Sequence, residues 1–267
     1  MTASTCPADV VAGYSDRLPF ITAEVAAVPA PRVLPQLLTN RSHAAELPCG
    51  PGHFLARYAA AGSRLTLVDG NPTMLTLAHA RALAAGMPPD RLHTQCALLA
   101  DLPRLGDVDL VILPGGALNQ LAAQTNLPDL LTCLHRLLPA RTRLVAQVCC
   151  RHNDGEPDQA GFLDPTQPDG VWFTDRRWPP AAAGPAVARR RRQYQVHAGR
   201  YRIDFAYLAA RGAVVHKTTV ELVVPLSREL ISLLRDVGCT DVELTPGGKR
   251  GLSEVVCTAA VTSRTRA

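Results

Sequence analysis

Lysine is almost missing: of 28 basic residues only Lys217 and Lys249 are lysines, and the rest are arginines. Together with the abundant alanine and 22 prolines, this reads as the coding bias of a GC-rich genome. The formal net charge of +5 is therefore weak support for a nucleic-acid partner. Nucleic-acid binders carry a clustered basic face, and only Arg189–Arg192 cluster here. No apolar run approaches the roughly 18 residues that would span a bilayer. Met1–Val10 lacks a basic start followed by an apolar stretch, which argues against a signal peptide. The eight cysteines form no CxxC pair and no cysteine–histidine spacing of a zinc site, so no metal is expected. Scattered cysteines suit reduced thiols in a cytoplasmic protein. Secreted, integral-membrane and zinc-stabilised classes are set aside.

What remains is a globular chain. Hydrophobic residues make up 47% and charged residues 19%, enough to bury a core. A length of 267 residues suits one α/β domain with an elaboration. Residues 1–43 are broken by Pro19, Pro29, Pro31 and Pro35 and read as short helices and loops. From Ala44 the pattern alternates. Strands are expected at Ala44–Leu47, Arg64–Val68, Arg91–Cys96, Asp109–Leu113 and Leu144–Cys150. Helices are expected at Phe54–Ala61, closed by Gly62, and at Thr73–Ala85, with Asn71 as cap and Pro72 as first residue. Another helix is expected at Leu127–Leu138. Alternation at this spacing predicts a doubly wound parallel sheet.

After Cys150 the alternation stops. Strand-like stretches at Val171–Trp178, Val187–His197, Tyr201–Leu208 and Val214–Val224, joined by glycine turns, predict an antiparallel insertion. The α/β pattern resumes with a helix at Ser227–Val237, Ser227 being its expected cap, and strands at Asp241–Leu244 and Ser253–Val261. The expected organisation is a helical lid (1–43), an α/β core (44–150), the insertion (151–224) and a completing segment (225–267).

The informative segment runs from Ala45 to Asp69. Glu46 lies in the first strand, a Cys49-Gly50-Pro51-Gly52 turn opens a helix, and Asp69 ends the second strand. Such a glycine turn lets backbone approach a ligand closely. An acid ending the second strand is placed to accept ribose hydroxyls, at the carboxyl edge where these sheets bind ligands. A dinucleotide fits poorly, because Leu55 occupies the third glycine position of G-x-G-x-x-G.

On these residues the sequence resembles the class I S-adenosylmethionine-dependent methyltransferases. Glu46-Leu47-Pro48-Cys49-Gly50-Pro51-Gly52 matches the family's first motif, with Pro48 in place of its first glycine. The resemblance implies a Rossmann-like seven-stranded, mostly parallel sheet and S-adenosylmethionine as cofactor. It implies that Glu46 meets the methionine end directly or through water, and that Pro48, Gly50 and Gly52 border the ligand. It places Asp69 and Gly70 at the ribose and Met74 beside adenine. Cys96 stands where relatives carry an adenine-binding Asp, and the Ala97 N–H is the remaining candidate donor. Leu113-Pro114-Gly115 then borders the transferred methyl, as in small-molecule N-methyltransferases, including the amino-sugar type. Gln120 falls where relatives carry His or Tyr. Tyr14 lies in the segment relatives fold over the cofactor, and His152, after the fifth strand, is a candidate base.

The expected activity is methyl transfer to nitrogen or oxygen of a small molecule, by in-line alignment rather than strong base catalysis. A cyclase or lyase releasing methylthioadenosine is an alternative, for which Pro48, Cys96 and Pro114-Gly115-Gly116 leave room. A nucleic-acid methyltransferase using Arg189–Arg192 and a non-catalytic partner subunit are further alternatives. Trp172, Phe173, Trp178, Tyr194, Tyr201, Phe205 and Tyr207, from a chain with few aromatics, fall in the insertion. They read as a small core or a substrate cage. The insertion is also the candidate surface of a homodimer.

Overall fold

The computed structural model describes residues 18–151, 163–164, 166–175, 188–197, 199–209, 211–247 and 252–260. Tyr14, His152 and Trp178 lie outside them. Two short helices come first, α1 (Leu18–Ala26) and α2 (Leu34–Leu37). The core follows as β1 (His43–Glu46), α3 (Leu55–Ala61), β2 (Arg64–Asp69), α4 (Pro72–Ala84), β3 (Leu92–Cys96), β4 (Leu110–Leu113), α5 (Ala117–Gln124), α6 (Leu127–Leu137) and β5 (Arg143–Val148). Next come β6 (Phe173–Thr174), β7 (Ala188–His197), β8 (Arg200–Leu208) and β9 (Val214–Val223). The chain continues with α7 (Ser227–Asp236), β10 (Cys239–Thr245) and β11 (Ser253–Ala259).

Seven strands form one sheet in the order β10-β11-β5-β4-β1-β2-β3. β1 to β5 run parallel, while β11 is antiparallel to both neighbours. Strands buried on both faces read as apolar runs; β4 is buried at all four positions. One face packs on Leu130, Leu131 and Leu134 of α6 and Leu230 and Leu234 of α7. The other packs on Tyr58 of α3 and Leu75, Ala78 and Ala82 of α4. The strand order reverses between β1 and β4, where an open α/β sheet leaves its ligand crevice.

Local signals act as the residue types require. Asn71 caps α4 by accepting from the N–H groups of Thr73 and Met74. Gly62 ends α3 at φ 66°, a left-handed conformation that glycine adopts without Cβ strain. Three points differ from the sequence reading. Ser227 is not a cap: it is the first residue of α7, and its hydroxyl donates to the Arg151 carbonyl. A helix not expected from the sequence, α5, opens after Gly116, which takes a left-handed conformation. The expected strand 171–178 is a two-residue strand within its described part.

β6 to β9 make a separate antiparallel sheet. Its inner face, with Phe205, Tyr207 and Leu222, packs against Phe20 and Ala23 of α1. The Phe20 and Tyr207 rings stack at 4.2 Å. Glu24 of α1 accepts from the Tyr207 hydroxyl and from Arg189. Asn119 of α5 joins the two sheets. Its amide donates to the carbonyls of Cys149 and Val223 and accepts from the Cys149 N–H, all at 2.8 Å.

Candidate functional site

The carboxyl ends of β1, β2 and β4 meet around the 48–52 turn. The turn is tied on both sides: Leu47 N–H donates to Ile112 of β4, and Cys49 N–H to Val68 of β2. Gly50 and Gly52 take φ of 51° and 81°. Arg81 of α4 donates to the Pro51 and Gly52 carbonyls at 2.6 and 3.0 Å, which fixes the turn from below.

Asp69 faces this turn. One carboxylate oxygen accepts from Gly50 N–H at 2.8 Å and the other from Asn71 N–H at 2.9 Å. A carboxylate oxygen accepts two hydrogen bonds, so each keeps acceptor capacity for a diol. Burial pushes the Asp69 carboxyl above its ordinary value, against the lowering effect of the Asn71 and Gly50 N–H groups. Cys49 is buried, and burial beside Asp69 and Glu46 pushes its thiol well up. It is therefore no thiolate nucleophile.

Glu46 lies deeper than the sequence implied. It is fully buried. One oxygen accepts from the Tyr58 hydroxyl at 2.9 Å, and the other accepts from the His53 backbone N–H at 2.8 Å. His53 Nδ1 lies 3.1 Å from that second oxygen. Glu46 thus has no exposed surface, and the His53 ring lies against its second oxygen. A Cβ on Gly50 would come 3.8 Å from His53 Cε1, and one on Gly115 would come 3.4 Å from His53 Nε2. The ring edge therefore spans the gap between the β1 and β4 turns. His53 is not among the residues the sequence analysis singles out. The available signal was a histidine following the glycine turn, seven residues after a strand carboxylate.

Three further expectations change. The Ala97 N–H donates to the Asp69 carbonyl at 3.1 Å and is not free for adenine. Met74 is buried against Ile21 and Val25, because α1 covers it. The Leu113 side chain is wholly inside the core. Cys96 is exposed, its thiol 3.9 Å from the Gly70 carbonyl. Gly70 and Pro48 are half-buried, Pro114 is buried, and the Leu47–Pro48 peptide is cis. Gly115 donates to the Gln147 side chain at 3.0 Å, and Gln147 donates onward to the Pro29 carbonyl at 2.7 Å. Gln120 lies half-buried in the first turn of α5.

The arginine run alternates faces. Arg189 and Arg191 approach Asp175, Arg190 donates to the Trp172 carbonyl, and Arg192 pairs with Asp204. These cations face partners of their own chain. The aromatics follow them. The guanidinium carbon of Arg192 lies over Trp172 and Tyr194, that of Arg191 over Phe173, and that of Arg189 over Phe205. A cavity of about 390 Å³ opens beside this strand, lined by Asp164, Thr166, Gln167, Phe173, Asp175 and Arg191 among others. Among the described residues no His, Cys, Asp and Glu cluster suits a metal, and no helix is long and apolar enough to cross a membrane.

Residues 44–140 match a methyltransferase domain family. No curated protein matches the sequence significantly. Solved structures match over almost the whole chain. An amino pentose methyltransferase from Micromonospora echinaspora, involved in calicheamicin biosynthesis and solved with S-adenosylmethionine, is 20% identical with a TM-score of 0.61. That match covers 93% of this chain and 95% of the other. A sugar N-methyltransferase from a Streptoalloteichus species is also 20% identical, with a TM-score of 0.60 and coverage of 98% and 96%. DesVI from Streptomyces venezuelae is 19% identical, with a TM-score of 0.59 and coverage of 96% and 99%. At these identities the likeness is one of fold.

Proposed function

We infer that this chain, whose residues 44–140 match a methyltransferase domain family, is an S-adenosylmethionine-dependent methyltransferase that acts on an amine of a small molecule, an amino sugar being the first class to test. The observation that carries the reading is Asp69. It ends β2, the strand next to the switch point of the sheet, and is held by Gly50 and Asn71, with acceptor capacity left on both oxygens. The residues fit the cofactor on chemical grounds: a carboxylate for the ribose diol and a glycine turn open to close approach. When bound, the cofactor supplies an electrophilic methyl group on a sulfonium.

The chain's own contribution is then position and exclusion of water. Asp69 and the 48–52 turn orient the nucleoside, and the Gly115–Gly116 turn sets the floor beside β4. Gln147 ties that floor to Pro29. An amine that arrives neutral requires alignment more than a strong base. The amino-sugar preference draws on the fold's likeness to an amino pentose methyltransferase and a sugar N-methyltransferase. Pairing within the insertion between two copies of the chain is part of the same proposal. The engagement of Arg189–Arg192 with Asp175, Trp172 and Asp204 removes the observation that favoured a nucleic-acid substrate.

The test is mass spectrometry of the protein incubated with S-adenosylmethionine, with and without a panel of amino sugars. S-adenosylhomocysteine and a singly methylated sugar, appearing only together, support the reading. Methylthioadenosine formed without acceptor overturns it in favour of a cyclase or lyase.

A further inference from the structure

The geometry points to His53 as the group that receives the cofactor's α-ammonium, with Glu46 acting only through it. This rests on the cofactor reading above. His53 Nδ1 has two neighbours, Glu46 Oε1 at 3.1 Å and the Cys49 carbonyl at 3.2 Å. A carbonyl only accepts, so Nδ1 carries the hydrogen, and with Nδ1 protonated Nε2 is the ring atom whose lone pair can accept. That atom has no hydrogen-bond partner among the described residues. It points to the space between the Gly50 turn and Gly115, where a Cβ on Gly115 would stand 3.4 Å from it and 3.5 Å from Val28. The ring is fixed from behind by the Glu46 carboxylate, itself held by Tyr58.

A fixed acceptor beside the carboxyl ends of β1 and β4, with no partner among the described residues, selects a donor. The nucleoside end of the cofactor is claimed by Asp69 on the β2 side, so the donor that comes to the β1–β4 gap is the amino-acid tail. Of its two charged groups, only the ammonium donates. Glu46, with no exposed surface, supplies the orientation and the negative charge behind the ring. Such a histidine bonded to a buried carboxylate is held in one tautomer and one orientation.

The experiment is calorimetric titration of the full chain with three ligands. S-adenosylhomocysteine has the whole tail, its decarboxylated analogue keeps only the amine, and methylthioadenosine has neither group. His53→Leu is expected to weaken the first two by about 10- to 100-fold, the range for a hydrogen bond to a charged group, and to leave methylthioadenosine unchanged. Glu46→Ala is expected to give the same selective loss, and the double variant to lose no more than either single one. Weakening of S-adenosylhomocysteine without weakening of the decarboxylated analogue assigns the contact to the carboxylate and overturns the proposal. Equal loss of all three ligands in both His53→Leu and His53→Gln also overturns it, since the ring then supports the turn instead. Failure of the unaltered chain to bind any of the three refutes the cofactor reading itself, a different result from either.

Discussion

Asn119→Ala tests whether one buried amide holds the two sheets together. Asn119 is 1% exposed, and its three 2.8 Å hydrogen bonds go to backbone groups of Cys149 and Val223. Truncation leaves one N–H and two carbonyls without that partner. A buried group left unsatisfied costs about 1–3 kcal/mol, so three cost roughly 3–6 kcal/mol after some relief from entering water. That is a large part of the about 5–15 kcal/mol that holds a domain folded. Asn119→Asp keeps the acceptor for Cys149 N–H but turns a carboxylate towards two carbonyls, and is expected to cost at least as much. Urea unfolding at 25 °C gives the free energy, and amide exchange in Val214–Val223 reports whether β9 loosens before the parallel sheet does. A loss below about 1 kcal/mol in Asn119→Ala, or unchanged protection in β9, refutes the reasoning.

Three other outcomes follow from the site and its frame. Asp69→Ala is expected to weaken S-adenosylhomocysteine and methylthioadenosine alike, by about tenfold or more, because it acts on the nucleoside they share; calorimetry checks this, and a loss confined to the tailed ligand contradicts it. Arg81→Met removes two bonds to the turn carbonyls; a loss of roughly 1–3 kcal/mol is expected in urea unfolding, with weaker ligand binding as the turn slackens. Asp107 is held down at about 2 by hydrogen bonds from Arg64 and His43. A depressed acid contributes stability above its unfolded value of about 3.9 that is lost as pH falls through the folded value. Its side chain is two-thirds exposed, so the contribution is below about 1 kcal/mol. Asp107→Asn should destabilise by that much at pH 7, and the difference should shrink from about pH 4 towards 2.

The parallel core was legible because its signals are local. Asn71-Pro72, Gly62 and the alternation of apolar runs act within one turn or one strand. The β7, β8 and β9 pattern was readable for the same reason, through Gly199 and Gly212 at φ of 74° and 80°. What the sequence hid is tertiary. Nothing near Met74 announces that α1, fifty residues earlier, covers it. The Ala97 N–H looked free because its acceptor, the Asp69 carbonyl, belongs to the neighbouring strand. Arg189 meets Glu24 across 165 positions, a pairing no composition argument reaches. Glu46 was recognised as part of the motif, but its depth depends on Tyr58, which α3 brings back beneath it. α5 was missed because two left-handed glycines open it and its Asn and Gln content hides its apolar face.

The placement of α1 limits how this protein is cut and recombined. The helix buries Met74 of the parallel core with Ile21 and Val25, and it seals the antiparallel sheet with Phe20 and Glu24. Grafting residues 163–224 alone onto another scaffold would bare the face of Phe205 and Tyr207 and strip Arg189 of the Glu24 carboxylate. The exchangeable cassette is discontinuous: residues 18–33 travel with the sheet, and a chimera that moves both halves keeps the ring stack and the ion pair in one piece.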